Sequence, residues 1–221
     1  MGDLTVIEYL HRLDQSITLY VNSLSNPASD QFWLFMSDKS VWIPAYILCV
    51  YFLFRRLGWK YALLVIASAA IAFALCDQLS NIVKHSVDRL RPSYDRTMID
   101  GGLTVLERRG GFFGFFSAHA ANAFAFVLCL IIGFRNDKRL KYRVFAFSAL
   151  LWATLVAASR IFVGKHYFGD VLVGAIVGIV VGYCCGKLAR LAIRRFVDKV
   201  PVTAPSEPSP SGLHGNPSPE R

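Results

Sequence analysis

Arg160, His166 and Asp170 stand close together in the stretch SRIFVGKHYFGD (Ser159–Asp170). An Asp one helical turn after a His can accept the proton of one ring nitrogen, which fixes the tautomer and leaves the other nitrogen free as a nucleophile. Arg160 adds a planar fork of donors suited to phosphate oxygens. A His–Asp pair that merely closes a loop leaves Arg160 and Lys165 unexplained. A second stretch, DQLSNIVKHSVDRLRP, sets Asp77, Asn81, Lys84, Asp88 and Arg91 at successive steps of four, three, four and three. On a helix that Pro92 ends, these make one polar stripe, and Lys84 and Arg91 could hold an anion between them. A solvated helix end accounts for the same stripe equally well. In a third stretch, GFFGFFSAHAANAF, Ser117 can cap a helix with His119 on its first turn, where unpaired amides suit a phosphate. Taken alone, this reads as a plain cap with a histidine bonded to a loop carbonyl. Taken together, the stretches supply three cations, a helix N-terminus and two histidines. Phosphoryl transfer needs that set: positive charge around the equatorial oxygens, a nucleophile on one side and an acid on the other.

These residues edge long apolar runs. The chain has 221 residues, 54% of them hydrophobic, with a mean hydropathy of +0.43. That is too apolar for an ordinary soluble domain, so an all-α integral membrane protein is expected. Five candidate spans are Val41–Phe54, Tyr61–Leu79, His119–Phe134, Val144–Ala158 and Val171–Leu188. A crossing takes about 20 residues, so the first run is short. Before them, Leu4, Ile7, Leu10, Ile17, Tyr20, Val21 and Leu24 recur at helical spacing, interrupted by Asp3, Glu8, Arg12, Asp14 and Gln15. This pattern predicts an amphipathic helix lying on the membrane surface. Pro27 breaks it, and a second short surface helix is expected over Asp30–Met36. The organisation is thus an interfacial segment over 1–40, a membrane domain over 41–200 and a disordered Pro/Ser-rich tail over 201–221.

The formal net charge is +9. Apolar runs make bilayer orientation a more economical cause than nucleic acid. Arg55, Arg56 and Lys60 follow the first span, five basic residues lie between Arg135 and Arg143, and Lys187, Arg190, Arg194, Arg195 and Lys199 follow the last. Five spans put these regions on one side, which the positive-inside rule makes cytoplasmic. The regions 85–118 and 159–170 then face outward, and both carry the chemistry. No signal-peptide pattern opens the chain, so the first span is expected to act as the insertion signal. The five cysteines all fall in apolar runs without metal-site spacing and read as packing residues. Gly174, Gly178, Gly182 and Gly186 recur every four residues and form a smooth face for close helix packing, either within the chain or against a second copy.

In these motifs the sequence resembles the type 2 phosphatidic acid phosphatase superfamily, whose integral-membrane members are lipid phosphate phosphatases. A lysine, six residues and Arg-Pro are met by Lys84–Pro92. The family's PSGH is represented by FSAH (Phe116–His119). Ser-Arg, five residues, His, three residues and Asp are met in full by Ser159, Arg160, His166 and Asp170. The likeness spans about Trp42–Leu188, with the motifs in order. It implies that His166 attacks phosphorus to form a phosphohistidine, Asp170 orients it, and His119 protonates the leaving group. Lys84, Arg91, Arg160, Ser117 and the amides of Ala118 and His119 would cradle the phosphate. No cofactor or metal is implied, and no acidic cluster demands one. Phe116 replaces the usual Pro and Ala118 the usual Gly. Should the loop need φ > 0 there, Ala118 would be strained by about 1 kcal/mol or more. Where the family commonly has six spans, five are counted here.

The expected substrate is a membrane lipid with a terminal phosphate, hydrolysed at the periplasmic face of a bacterial inner membrane. The sequence resembles small envelope phosphatases, so lipid A or undecaprenyl diphosphate lead the candidates, ahead of phosphatidylglycerol phosphate and phosphatidic acid. Arg108 and Arg109 could meet a polyanionic headgroup. A lipid phosphotransferase shares the motif set, and a transporter or lipid-binding protein is the non-enzymatic alternative. The sequence does not give the oligomeric state.

Overall fold

Each helix begins where local chemistry lets it. The computed structural model describes residues 5–108 and 110–197; the tail over 201–221 and Arg109 lie outside them. Helix α1 (Val6–Ser23) opens on a capping box, in which Thr5 Oγ1 accepts from the Glu8 amide at 3.3 Å and Glu8 accepts from the Thr5 amide at 2.9 Å. Helix α2 (Pro27–Ser37) has Asn26 as its cap, with Pro27 in the first turn where a missing N–H costs nothing. A short 3₁₀ turn leads into α3 (Ile43–Leu57), which Gly58 ends at φ +76°. The remaining helices are α4 (Trp59–Val87), α5 (Arg96–Asp100), α6 (Ala118–Phe134), α7 (Arg143–Phe162) and α8 (Phe168–Ala192), the last running on as a π-helical turn to Val197. The fold is all-α; among the described residues its extended pairing is one isolated antiparallel bridge, Leu90–Phe113.

Among the described residues four helical stretches, Ser40–Leu57, Trp59–Val87, Arg143–Phe162 and Phe168–Phe196, are long and apolar enough to cross a membrane. The fifth expected span, α6, is apolar but has only 17 residues, about 26 Å of helix. It lies at the centre of the bundle: α3, α4, α7 and α8 all pack on it, and Ala121, Ala125 and Cys129 are buried against α4 and α8.

The glycine stripe explains that packing. A Cβ at Gly174 would lie 2.4 Å from the Ser117 carbonyl oxygen, one at Gly178 2.2 Å from that of Ala121, and one at Gly182 2.6 Å from Ala125 Cα. Only glycine lets α8 come this close to the α6 backbone. The stripe is therefore used within the chain, and it zips the start of α8 to the start of α6.

Two expectations need correction. The polar stripe from Asp77 to Arg91 is not one helical face. Helix α4 ends at Val87, Asp88 caps it at φ +49°, and Arg91 is extended. Aspartate tolerates the left-handed turn, and the residue before a proline is driven out of the α region. Also, the fourth span does not end at Ala158; α7 runs to Phe162 and carries Ser159 and Arg160 on its last turn. Helix α1 is amphipathic as expected, but Asp14, Gln15, Thr18 and Asn22 turn inward to bond other segments of the chain. Its apolar residues Val6, Ile7, Leu10 and Tyr20 face out.

Candidate active site

The glycine zip brings two remote stretches together. The Ser117 amide donates to the Asp170 carbonyl at 3.0 Å, so the head of α6 sits directly against the head of α8. Ser117 caps α6 as expected, accepting from the Ala120 amide at 3.5 Å. Ala118 is the first residue of the helix, and among the described residues Asp88 is the one non-glycine with positive φ. The strain foreseen for Ala118 therefore does not arise. The amides of Ala118 and His119 head the helix, where no intrahelical acceptor exists.

His166 is fully buried in the turn between α7 and α8. Its Nδ1 lies 3.4 Å from Asp170 Oδ2, and its Nε2 lies 3.5 Å from an Arg91 terminal nitrogen. An arginine can only donate, so Nε2 carries the lone pair and Nδ1 the proton. Arg91 is held in place by its own amide donating to Phe112 O at 2.8 Å and its Nε donating to Phe113 O at 3.2 Å. Gly114 packs tightly here: a Cβ would come 3.0 Å from Arg91 Cγ and 3.3 Å from Asp170 Oδ2, so both side chains would have to give way. Burial pushes the imidazole well below its usual pKa, and Arg91, Arg160 and Lys84 push it the same way. The ring is therefore neutral at ordinary pH. His119 lies within electrostatic range of Arg91, Arg160 and His166.

The cations are not equivalent. Lys84 is half-buried, in range of Arg91 and Asp170. Arg160 is buried and turned toward Ser37 and Glu107, the latter at 3.2 Å, while its Nε has no acceptor among the described residues. Lys165 shares Glu107 at 3.6 Å and donates to the Arg108 carbonyl. Burial works to raise the Glu107 carboxyl, but Arg160, Ser37 and Lys165 outweigh it and hold it below its usual range. Arg108 itself is exposed. Of the remaining stripe residues, Asp77 accepts from Asn122 at 3.0 Å as a clamp between α4 and α6, whereas Asn81 and Asp88 face outward.

Sequence reasoning missed Arg89 and Glu107. The Arg89 guanidinium reaches Asp170 Oδ1 at 2.7 Å and Asp14 Oδ2 at 2.6 Å. Neither residue stands at a motif spacing. The available signal was a buried aspartate in need of a cation.

A cavity of about 630 Å³ opens beside the cluster, between α3, α4, α6 and α7. Its floor is apolar, including Leu53, Leu130 and Phe126, and Ser37, Lys39 and His119 also line it. Ile43, Val50 and Phe73 line it too and are themselves exposed, so its wall opens toward the bundle's outer surface.

A family model described as the PAP2 superfamily matches residues 57–194. Lipid A 4'-phosphatase of Bacteroides thetaiotaomicron is 33% identical over 199 residues, covering 89% of this chain and 86% of that one. The enzyme of the same name from Porphyromonas gingivalis is 31% identical over 206 residues, covering 92% and 83%. Among solved structures, the PAP2-type phosphatidylglycerolphosphate phosphatase of Bacillus subtilis superposes with a TM-score of 0.67 at 20% identity, covering 85% of this chain and 89% of that one. Aquifex aeolicus LpxE superposes with a TM-score of 0.58 at 22% identity, covering 78% and 93%.

Proposed function

The chain belongs to the PAP2 superfamily and is a multi-pass membrane phosphatase, and from that premise we propose that it hydrolyses a phosphate monoester of lipid A through a phosphohistidine, at the periplasmic face of the inner membrane. The observation that carries the mechanism is the line Asp170–His166–Arg91, which presents a neutral ring with a directed lone pair among cations. Nε2 of His166 attacks phosphorus, an N–P bond forms, and the bond from phosphorus to the lipid oxygen breaks. His119, as the imidazolium that a bound phosphate anion beside it favours, gives its proton to that oxygen. Lys84, Arg91 and Arg160, with Ser117 and the amides of Ala118 and His119, take the negative charge that spreads over the phosphoryl oxygens. Water then attacks phosphorus, His119 takes its proton, and inorganic phosphate leaves with His166 neutral again.

The apolar cavity beside His119 supports a lipid as substrate, since acyl chains would fill it while the phosphate meets the cations. Lipid A is favoured over undecaprenyl diphosphate by the two relatives above 30% identity, both named for lipid A and matched over most of their lengths. The basic segments after α3, α6 and α8 support the assigned orientation. Helix α1 would lie on the outer surface of the membrane with its apolar side toward lipid.

The test is phosphate release by the purified protein from lipid A, undecaprenyl diphosphate, phosphatidylglycerol phosphate and phosphatidic acid, with His166→Ala as control. Lipid A should turn over fastest, vanadate should inhibit, and magnesium should not stimulate. An active His166→Ala protein overturns the mechanism, and a faster rate on another lipid overturns the substrate.

A further inference from the structure

Asp170 is completely buried, and a buried carboxylate holds its charge only if it is paired and hydrogen-bonded. Its Oδ2 serves His166 Nδ1 at 3.4 Å and the Tyr167 amide at 3.2 Å. Its Oδ1 takes an N–H from Arg89 at 2.7 Å. Arg91, Arg160 and Lys84 act electrostatically on His166, and Arg91 approaches its Nε2 at 3.5 Å. Arg89 instead approaches Asp170 from behind. Its guanidinium carbon lies 3.9 Å from the centroid of the Tyr167 ring, which fixes the plane of the fork. The other half of the fork donates to Asp14 on α1 at 2.6 Å. Asp14 in turn accepts from the Gly169 amide at 2.8 Å, and Thr18 accepts from the Phe168 amide at 2.9 Å. Side chains of α1 thus answer the unpaired first-turn amides of α8. The approach is close: a Cβ on Gly169 would lie 2.8 Å from an Asp14 oxygen. Burial works against the charge of Arg89, and Asp170 and Asp14 outweigh it.

We propose that Arg89 is a positioning residue which, together with Asp14 of α1, aims the Asp170 carboxylate at His166, so that the N-terminal helix is part of the active site. The proposal rests on the phosphohistidine reading. A lysine could keep the charge, but it could not span two carboxylates with one rigid fork.

The experiment measures kcat and KM on lipid A in detergent micelles for Arg89→Gln, Arg89→Lys, Asp14→Asn and the double variant Arg89→Gln/Asp14→Asn, with thermal melts of each. Arg89→Gln should lower kcat by about 10- to 100-fold and leave KM nearly unchanged, the size seen when groups behind a ligating or catalytic residue are removed. Arg89→Lys should recover part of that loss. Asp14→Asn alone should lower kcat less, and should add little to Arg89→Gln, because the two act through one network. A wild-type kcat in Arg89→Gln overturns the proposal. So does a set of variants whose kcat losses simply follow their melting temperatures, or whose effect lies in KM. Should Arg89→Gln misfold, Arg89→Lys and Asp14→Asn are read by the same criteria: kcat losses at unchanged KM and melting temperature support the proposal, and wild-type kcat in both overturns it. His166→Ala separates the two readings: if it stays active, the phosphohistidine itself fails. If it is inactive while Arg89→Gln matches wild type, only the role of Arg89 fails.

Discussion

At the scale of single residues, the site is a problem in keeping one imidazole neutral and another group charged. Burial and three cations hold His166 below its usual range. On the proposed mechanism a protonated ring cannot attack, so activity should fall on the acid side as pH drops through the value His166 has in the protein. Removing a cation raises that value. Arg91→Ala should therefore shift the acid limb of the kcat profile to higher pH, besides weakening phosphate binding; an unmoved limb would show that Arg91 does not govern the ring. The motif residues were legible because phosphate chemistry imposes both type and spacing on them. Arg89 and Glu107 were not legible. Their partners, Asp14, Asp170, Ser37 and Arg160, come from distant parts of the chain, and an ion pair across such distances leaves no periodic trace.

At the scale of elements, the apolar runs fixed which segments become helices but not where their chemistry-bearing ends fall. The expected second span was Tyr61–Leu79, yet α4 runs to Val87 because its polar last turns can continue the helix toward the membrane edge. The end then depends on one left-handed aspartate, a feature of turn chemistry that hydropathy does not carry. The glycine period was visible, and its partner became known only from the fold. Gly178→Ala should force apart α6 and α8, since its Cβ would lie 2.2 Å from Ala121 O and 2.8 Å from Ala121 Cα. Overpacking of this kind costs about 1–3 kcal/mol. A thermal melt should show the loss, and turnover should fall with it because the same zip seats Ser117 against Asp170. An unchanged melt would mean the helices can separate without penalty.

At the scale of the whole molecule, the chemistry gathers at one end of the bundle and the basic connecting segments at the other. Lys138→Cys, on a background in which Cys49 and Cys184 are replaced, should react with a membrane-permeant thiol reagent in intact cells and resist an impermeant one. The reverse pattern would invert the assigned orientation. Composition and charge made this arrangement legible in the sequence, whereas the cavity was not, because emptiness among apolar side chains depends on how they interdigitate. That cavity opens sideways past Ile43, Val50 and Phe73. An enzyme fed through such a window samples its substrate in two dimensions, by collisions within the leaflet. Its velocity should follow the mole fraction of substrate in the surrounding amphiphile, so that adding inert neutral detergent at constant total substrate slows it by surface dilution alone.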